Sequence, residues 1–185
     1  QERKASLMAG HSLGEFAALY AAEVFDVKTA LELLKKRSEL MSSAGGGAMT
    51  AILGFDRNEL EKLINSTEGV VIANDNSESQ VVLSGTPTAI KQVTSELACK
   101  RAIPLAVSGA FHSPLMSEAA KSFERELDLV DFKEAKIPVL SNAEPTPTRD
   151  AELLKSRLKL QMTKGVRWRE TMEVMNGLGI RTVLE

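Results

Sequence analysis

A serine between glycines, a histidine after a run of small residues and an arginine lodged in an apolar helix face are the side chains of this sequence best placed for chemistry. The serine is Ser12 in Gly10-His11-Ser12-Leu13-Gly14. Small residues on both sides permit a turn tight enough to push its hydroxyl up at the start of the following helix. The free backbone N–H groups of a helix N-terminus can stabilise an oxyanion there. A Gly-rich turn with a capping serine has the same composition, so the motif alone leaves both readings open.

A serine nucleophile needs a base, and the chain has two histidines. His11 adjoins Ser12, and neighbours across a strand-to-helix turn point in different directions, so His11 reads as packing near the turn. His112, in "SGAFHSPLM", follows a strand and precedes a helix, where loop residues reach the rim of a cleft. A helix-capping role is the alternative. Arg37 lies inside the apolar stripe Leu33, Leu34, Leu40, Met41. A guanidinium facing inward is expensive unless a carboxylate or other anion meets it. Spacing alone favours a snorkelling or ion-paired arginine over a carboxylate receptor behind Ser12.

These residues need elements to hold them. Ala5–Ala9 reads as a buried strand and Glu15–Phe25 as a helix with Phe16, Leu19, Tyr20 and Val24 on one side. A second helix covers Val27 to about Ser43, and "GGG" at 45–47 breaks the pattern. From there the order is strand 48–55, helix 56–66 capped by Asp56, strands 69–74 and 80–85, helix 86–100 with Pro87 at its first position, and strand 102–108. That β-α-β-β-α-β order predicts an inserted ferredoxin-like unit, residues 47–108. A helix over 113–127, a strand over 137–142, helices near 150–162 and 168–177 and a strand at 180–184 complete the chain. Three strands alternating with helices outside the insert predict a parallel α/β sheet, formed by 1–46 and 109–185.

The bulk properties narrow the classes. With 185 residues, 43% hydrophobic and 26% charged, the chain can bury one core with an insert. A net charge of −2 gives no case for nucleic acid or a membrane surface. A single cysteine, Cys99, excludes an internal disulfide framework and fits a reducing compartment. No run approaches the length of a membrane span and no signal-like segment opens the sequence. The first residue is Gln1 and the last run, "IRTVLE", reads as an unfinished strand, so the chain is expected to be incomplete at both ends.

"GHSLGE", the arginine of "KKRSELM", "GAFHSPLM", "SNAEP" and "LQMTKGVRW", in this order, resemble the malonyl-CoA:acyl carrier protein transacylases of fatty-acid synthesis and the related acyltransferase domains of polyketide synthases. The resemblance implies an α/β-hydrolase-like core with the ferredoxin-like insert. It implies that Ser12 carries the acyl ester, that His112 is the base and that the main-chain carbonyl of Gln161 orients the imidazole. Arg37 would pair with the malonyl carboxylate, the Leu13 N–H would donate to the oxyanion, and Phe111 would limit the pocket to an unsubstituted malonyl unit. The implied partners are malonyl-CoA, a substrate, and acyl carrier protein, with no cofactor, metal, nucleic acid or membrane. A cytoplasmic monomer is expected, plastid or mitochondrial in a eukaryote. Carrier proteins of this kind are acidic, which makes Lys35, Lys36, Lys164, Arg167 and Arg169 candidates for docking.

Departures and rivals accompany the resemblance. The family's N-terminal Gly-Gln-Gly loop and C-terminal Gly-Pro-Gly region are absent from these residues, the 42–47 loop is short, and Gly165 stands where the family pattern has proline. A serine esterase or thioesterase would need an acid, and Asp26, Asp56 and Asp75 occupy no recognisable triad loop. A non-catalytic carrier-binding module is the other alternative.

Overall fold

The computed structural model describes residues 5–107 and 109–184. Local capping chemistry sets several element boundaries. In β1 (Met8–Ala9) and α1 (Gly14–Ala21) the chain enters and leaves the Ser12 turn. The Asp26 side chain accepts from Thr29 N and starts α2 (Val27–Ser43). Asp56 does the same for α3 (Arg57–Ser66), and Thr86, with Pro87 behind it, for α4 (Pro87–Glu96).

Between α2 and residue 105 the chain builds a four-stranded antiparallel sheet. Its strands are β2 (Ala48–Phe55), β3 (Val70–Ser77), β4 (Gln80–Gly85) and β5 (Cys99–Pro104), in the spatial order β3-β4-β2-β5. The pleat sorts side chains by parity. Ile52, Val81 and Leu83 face a cluster with Leu60, Ile90 and Val93 of the two helices. Met49, Ala51, Ala73 and Val82 face the other way, where Phe111 packs on them.

Outside this stretch, β1 pairs in parallel with β6 (Val139–Leu140), Met8 opposite Val139. Around it pack α1, α2, α5 (Ser117–Asp128) and α6 (Ala151–Leu160), with a 3₁₀ turn, Pro114–Met116, ahead of α5, while α7 (Trp168–Gly177) lies against β3. Phe16, Leu19, Phe123, Leu127, Leu154, Leu158 and Met162 form the main core. The chain crosses between the two regions at one tight point. A Cβ on Gly47 would stand 2.3 Å from the Ala110 Cβ, and one on Gly109 would stand 2.8 Å from the Ala44 carbonyl oxygen. A second seam forms where Val166 docks on β3, its N–H donating to Ala73 O at 2.8 Å and its carbonyl accepting from Asp75 N–H at 2.9 Å.

The structure corrects several sequence-derived elements. The parallel sheet has two strands among the described residues, not three. Residues 180–184 form no strand, because α7 closes with Gly179 at φ +75 and the Ile180 N–H turns back to Met175 O. The first helix ends at Ala21, where Glu23 takes a left-handed φ of 62° and Val24 N–H bonds Leu19 O, although Val24 and Phe25 stay buried. The second helix of the sheet unit stops at Glu96 because Leu97 is already extended, which starts β5 three residues early, opposite Phe55. Of the strand expected over 102–108, Ser108 lies outside the described residues, as do residues 1–4 of the first segment.

Candidate active site

The Ser12 turn is shaped from both sides. A Cβ on Gly10 would stand 2.0 Å from the Gly14 carbonyl oxygen, so this position tolerates only glycine. Gly14 differs from expectation: a Cβ there meets nothing within 4 Å, and the turn does not require it. Asn142, just past β6, clamps the turn from across the parallel pair. Its amide nitrogen donates to Gly10 O at 2.6 Å and its Oδ1 accepts from Ser12 N–H at 2.6 Å. Held so, Ser12 adopts φ 51°, a left-handed conformation costly for a residue with a side chain.

One hundred residues along the chain, His112 also sits at positive φ, 56°, and is 3% exposed. Its Nε2 lies 2.8 Å from Ser12 Oγ and its Nδ1 lies 2.7 Å from the Gln161 carbonyl oxygen. A carbonyl only accepts, so Nδ1 carries the hydrogen and Nε2 presents its lone pair to the serine O–H. Burial, chiefly, pulls the imidazole from its ordinary 6.5 down to about 4, the Arg37 and His11 charges adding to it against the raising effect of the Gln161 carbonyl. The ring is therefore neutral near pH 7 and able to accept a proton.

Arg37 occupies the buried stripe Ala30, Leu33, Arg37, Met41 of α2 and is 5% exposed. It donates through Nη2 to Ser12 Oγ at 3.1 Å and through Nε to Gln161 Oε1 at 2.9 Å, with Phe16 under the guanidinium. Burial lowers its pKa to about 10, and the charge of Glu15 opposes that shift. At that value the guanidinium remains charged near neutrality. The Leu13 N–H, at the N-cap of α1, has no acceptor among the described residues and lies next to the serine. Phe111, beside His112, packs on both the main core and the inner face of the antiparallel sheet.

The structure thus brings Ser12, His112, Arg37 and Gln161 into mutual contact, with Leu13 and Phe111 as chain neighbours of two of them. His11 points elsewhere: its Nε2 pairs with Asn76 Oδ1 at 2.9 Å and its ring meets Trp168 edge-on. Of the basic residues considered for docking, Lys36 pairs with Glu126, Arg167 with Glu170, and Arg169 with Asp75 and Glu173. Lys35 and Lys164 make no ion pair among the described residues. Two site residues escaped the sequence reading. Asn142 reaches the turn only through the β1–β6 pairing, which local pattern does not reveal. Glu15 had a signal: with Ala18, Leu19 and Ala22 it completes a buried i, i+3, i+4, i+7 stripe, a carboxylate in an apolar row.

A serine facing a neutral imidazole, beside a buried cation and an open backbone N–H, is an arrangement with the chemical means for acyl transfer at a serine hydroxyl. The chain belongs to the acyl transferase domain family, whose model matches residues 3–185. It is 49% identical over 172 residues to the malonyl CoA-acyl carrier protein transacylase of Synechocystis sp., a match that covers 93% of this chain and 59% of that relative. The crystal structure of the Synechocystis malonyl-CoA:ACP transacylase superposes with a TM-score of 0.94 at 47% identity, over 96% of this chain and 61% of that one. A malonyl-transacylase solved in complex with its type II polyketide synthase acyl-carrier protein superposes at 0.89 with 35% identity, covering 96% and 60%. The chain therefore spans about three fifths of the length of these relatives.

Proposed function

We propose that this chain carries the reaction centre of a malonyl-CoA:acyl carrier protein S-malonyltransferase of fatty-acid synthesis. Ser12 Oγ attacks the thioester carbonyl carbon while its proton passes to His112 Nε2. The Leu13 N–H donates to the oxyanion that forms, and the carbon–sulfur bond breaks. The proton on His112 goes to the departing sulfur, giving CoA thiol and a malonyl ester on Ser12. In the second half the phosphopantetheine thiol of the carrier protein attacks that ester, and His112 takes the thiol proton and returns it to Ser12. Arg37 pairs with the free carboxylate of the malonyl unit, and Phe111 keeps the pocket to an unsubstituted one.

The observation that supports this reading best is the pairing of a neutral His112 with Ser12 while its other nitrogen donates to a backbone carbonyl. A carboxylate in that place would fit an esterase. A neutral acceptor fixes the tautomer without a second buried charge, and it suffices where the leaving group is a thiolate, which departs readily. Buried Arg37 adds a reason to prefer a dicarboxylic acyl group, which a general esterase does not have. The transacylase names of the relatives point the same way. The same reading takes 1–46 and 109–185 as an α/β-hydrolase-like core and 47–108 as a ferredoxin-like unit over the cleft, in a cytoplasmic monomer. Among the described residues no helix is long and apolar enough to cross a membrane.

Incubation with malonyl-CoA followed by peptide mass analysis tests the proposal. One malonyl mass should appear on the peptide carrying Ser12, be absent from Ser12→Ala, and be released to added carrier protein. A label that persists on Ser12→Ala would end the serine mechanism. Steady release of free malonate in place of transfer would favour a hydrolase.

A further inference from the structure

Glu15 is the second residue of α1 and is 1% exposed. An acidic side chain in a first helical turn ordinarily stays at the surface, where the helix dipole favours it. This one points inward, onto the residue that joins the rest of the site. The Gln161 side chain donates from Nε2 to Glu15 Oε2 at 2.8 Å and to Ser12 O at 3.1 Å, and its Oε1 accepts from Arg37 Nε at 2.9 Å. Its main-chain oxygen accepts from His112 Nδ1. One residue thus touches the serine, the base and the arginine, and a buried carboxylate holds the far side of its amide.

The hydrogen-bond inventory makes that contact directional. A primary amide has a donor end and an acceptor end, and the guanidinium has donors only. With the amide reversed, NH₂ would confront the Arg37 N–H, and Oε1 would confront the Ser12 carbonyl and, above about pH 7 where Glu15 is ionised, a carboxylate. Glu15 and Ser12 O together occupy both donors of the amide and so aim Oε1 at Arg37. The Nε edge of the guanidinium is then taken, which leaves its Nη edge beside Ser12 Oγ, where an acyl carboxylate on the serine would have to be met.

We propose that Glu15 is a positioning residue for carboxylate selectivity, acting through the Gln161 amide to present the free edge of Arg37 to the acyl chain without touching that chain. The inference rests on the malonyl-transfer reading given above. The buried carboxylate also faces the Ser141 hydroxyl and the Asn142 backbone.

The test uses the full chain with Glu15→Ala and the isosteric Glu15→Gln, Gln161→Leu, and the double variant Glu15→Ala/Gln161→Leu. Ser12 ester formation from malonyl-CoA and from acetyl-CoA is measured for each. Glu15→Ala should lower the malonyl-to-acetyl ratio of kcat/KM about tenfold, chiefly through a higher KM for malonyl-CoA. Glu15→Gln, which keeps a neutral acceptor, should recover part of the ratio. The double variant should be no less selective than Gln161→Leu alone, because both act through one amide. Equal losses for the two acyl groups, or additive losses in the double variant, overturn the assignment. Should Glu15→Ala not fold, Glu15→Gln against the wild type decides: an unchanged ratio overturns it and a reduced one supports it. A wild type that forms no malonyl ester on Ser12 overturns the functional reading itself, a result distinct from the loss of selectivity alone.

Discussion

The stretch Ala48–Pro104 and the chain that surrounds it are built by different means. In the first, strands alternate inward and outward residues, helices begin at Asp56 and Thr86 where their side chains cap them, and apolar residues fill both faces of the sheet. In the second, the parallel pair is two residues long, and around half-buried Ser12 the buried polar side chains come from distant parts of the chain: Glu15, Arg37, His112, Asn142 and Gln161. The antiparallel stretch gains its order from pattern. The site gains its order from partners, so one lost partner matters more there than one lost methylene.

The largest effect expected from that difference is at the turn. Gly10→Ala should reduce Ser12 ester formation at least roughly 100-fold, the scale of misplacing a reacting group by about an ångström, because the new Cβ has no space beside the Gly14 carbonyl. Gly14→Ala should leave ester formation within a few-fold and stabilise α1 by about 0.5–1 kcal/mol. Stopped-flow release of CoA with a thermal melt measures both, and equal damage from the two changes would contradict the steric account.

Leu60→Ala probes the other region. Leu60 is fully buried between α3 and the sheet, and its truncation should cost about 2–5 kcal/mol of stability while the acylation rate of the folded fraction stays near wild type. A large fall in rate at full folding would show that the antiparallel stretch does more than fill space beside the cleft. Arg37→Ala should act in the opposite sense. Malonyl kcat/KM should fall by about 2–4 kcal/mol, the cost of truncating one partner of a buried charged pair, and acetyl transfer should fall much less. Parallel kinetics on the two CoA esters separate these outcomes, and equal losses would make Arg37 structural.

How legible each region was follows from the same contrast. Strands 48–55 and 80–85 and helices 27–43 and 168–177 were readable to the residue, since period and caps are local. Boundaries were lost where tertiary contact overrides pattern. The "AIPLAVS" run reads as a strand, but pairing with β2 starts at Cys99. The apolar run "IRTVLE" likewise looked like a strand, yet the close of α7 leaves it unpaired. In the site, the serine turn and the two inward-facing residues Arg37 and His112 were visible one at a time. The clamp by Asn142 and the amide bridge of Gln161 were not, because both depend on residues more than 120 positions apart meeting.

The smallest effect is a cancellation in the pH dependence of stability, which the site alone should produce. His112 is held at about 4 in the folded chain against 6.5 when unfolded. Between those values the unfolded state binds the extra proton, so the stability tied to His112 rises with pH and is lost as pH falls through that window. Glu15 runs the other way. Burial, chiefly, raises its carboxyl from 4.5 to about 7, against the lowering effects of Gln161, Asn142, Ser141 and Arg37. Between those values the folded state holds the extra proton, so its contribution is full below 4.5 and declines as pH rises toward 7. From about pH 4.5 to 6.5 the two slopes oppose each other, and Tm should be nearly flat as far as these groups set it. Removing one group exposes the other. Glu15→Gln should give a Tm that climbs with pH across the window, relative to wild type, and His112→Gln a Tm that falls. Thermal melts at half-unit steps decide the matter, and two variants whose profiles bend the same way would show that the buried pair does not set the acid response.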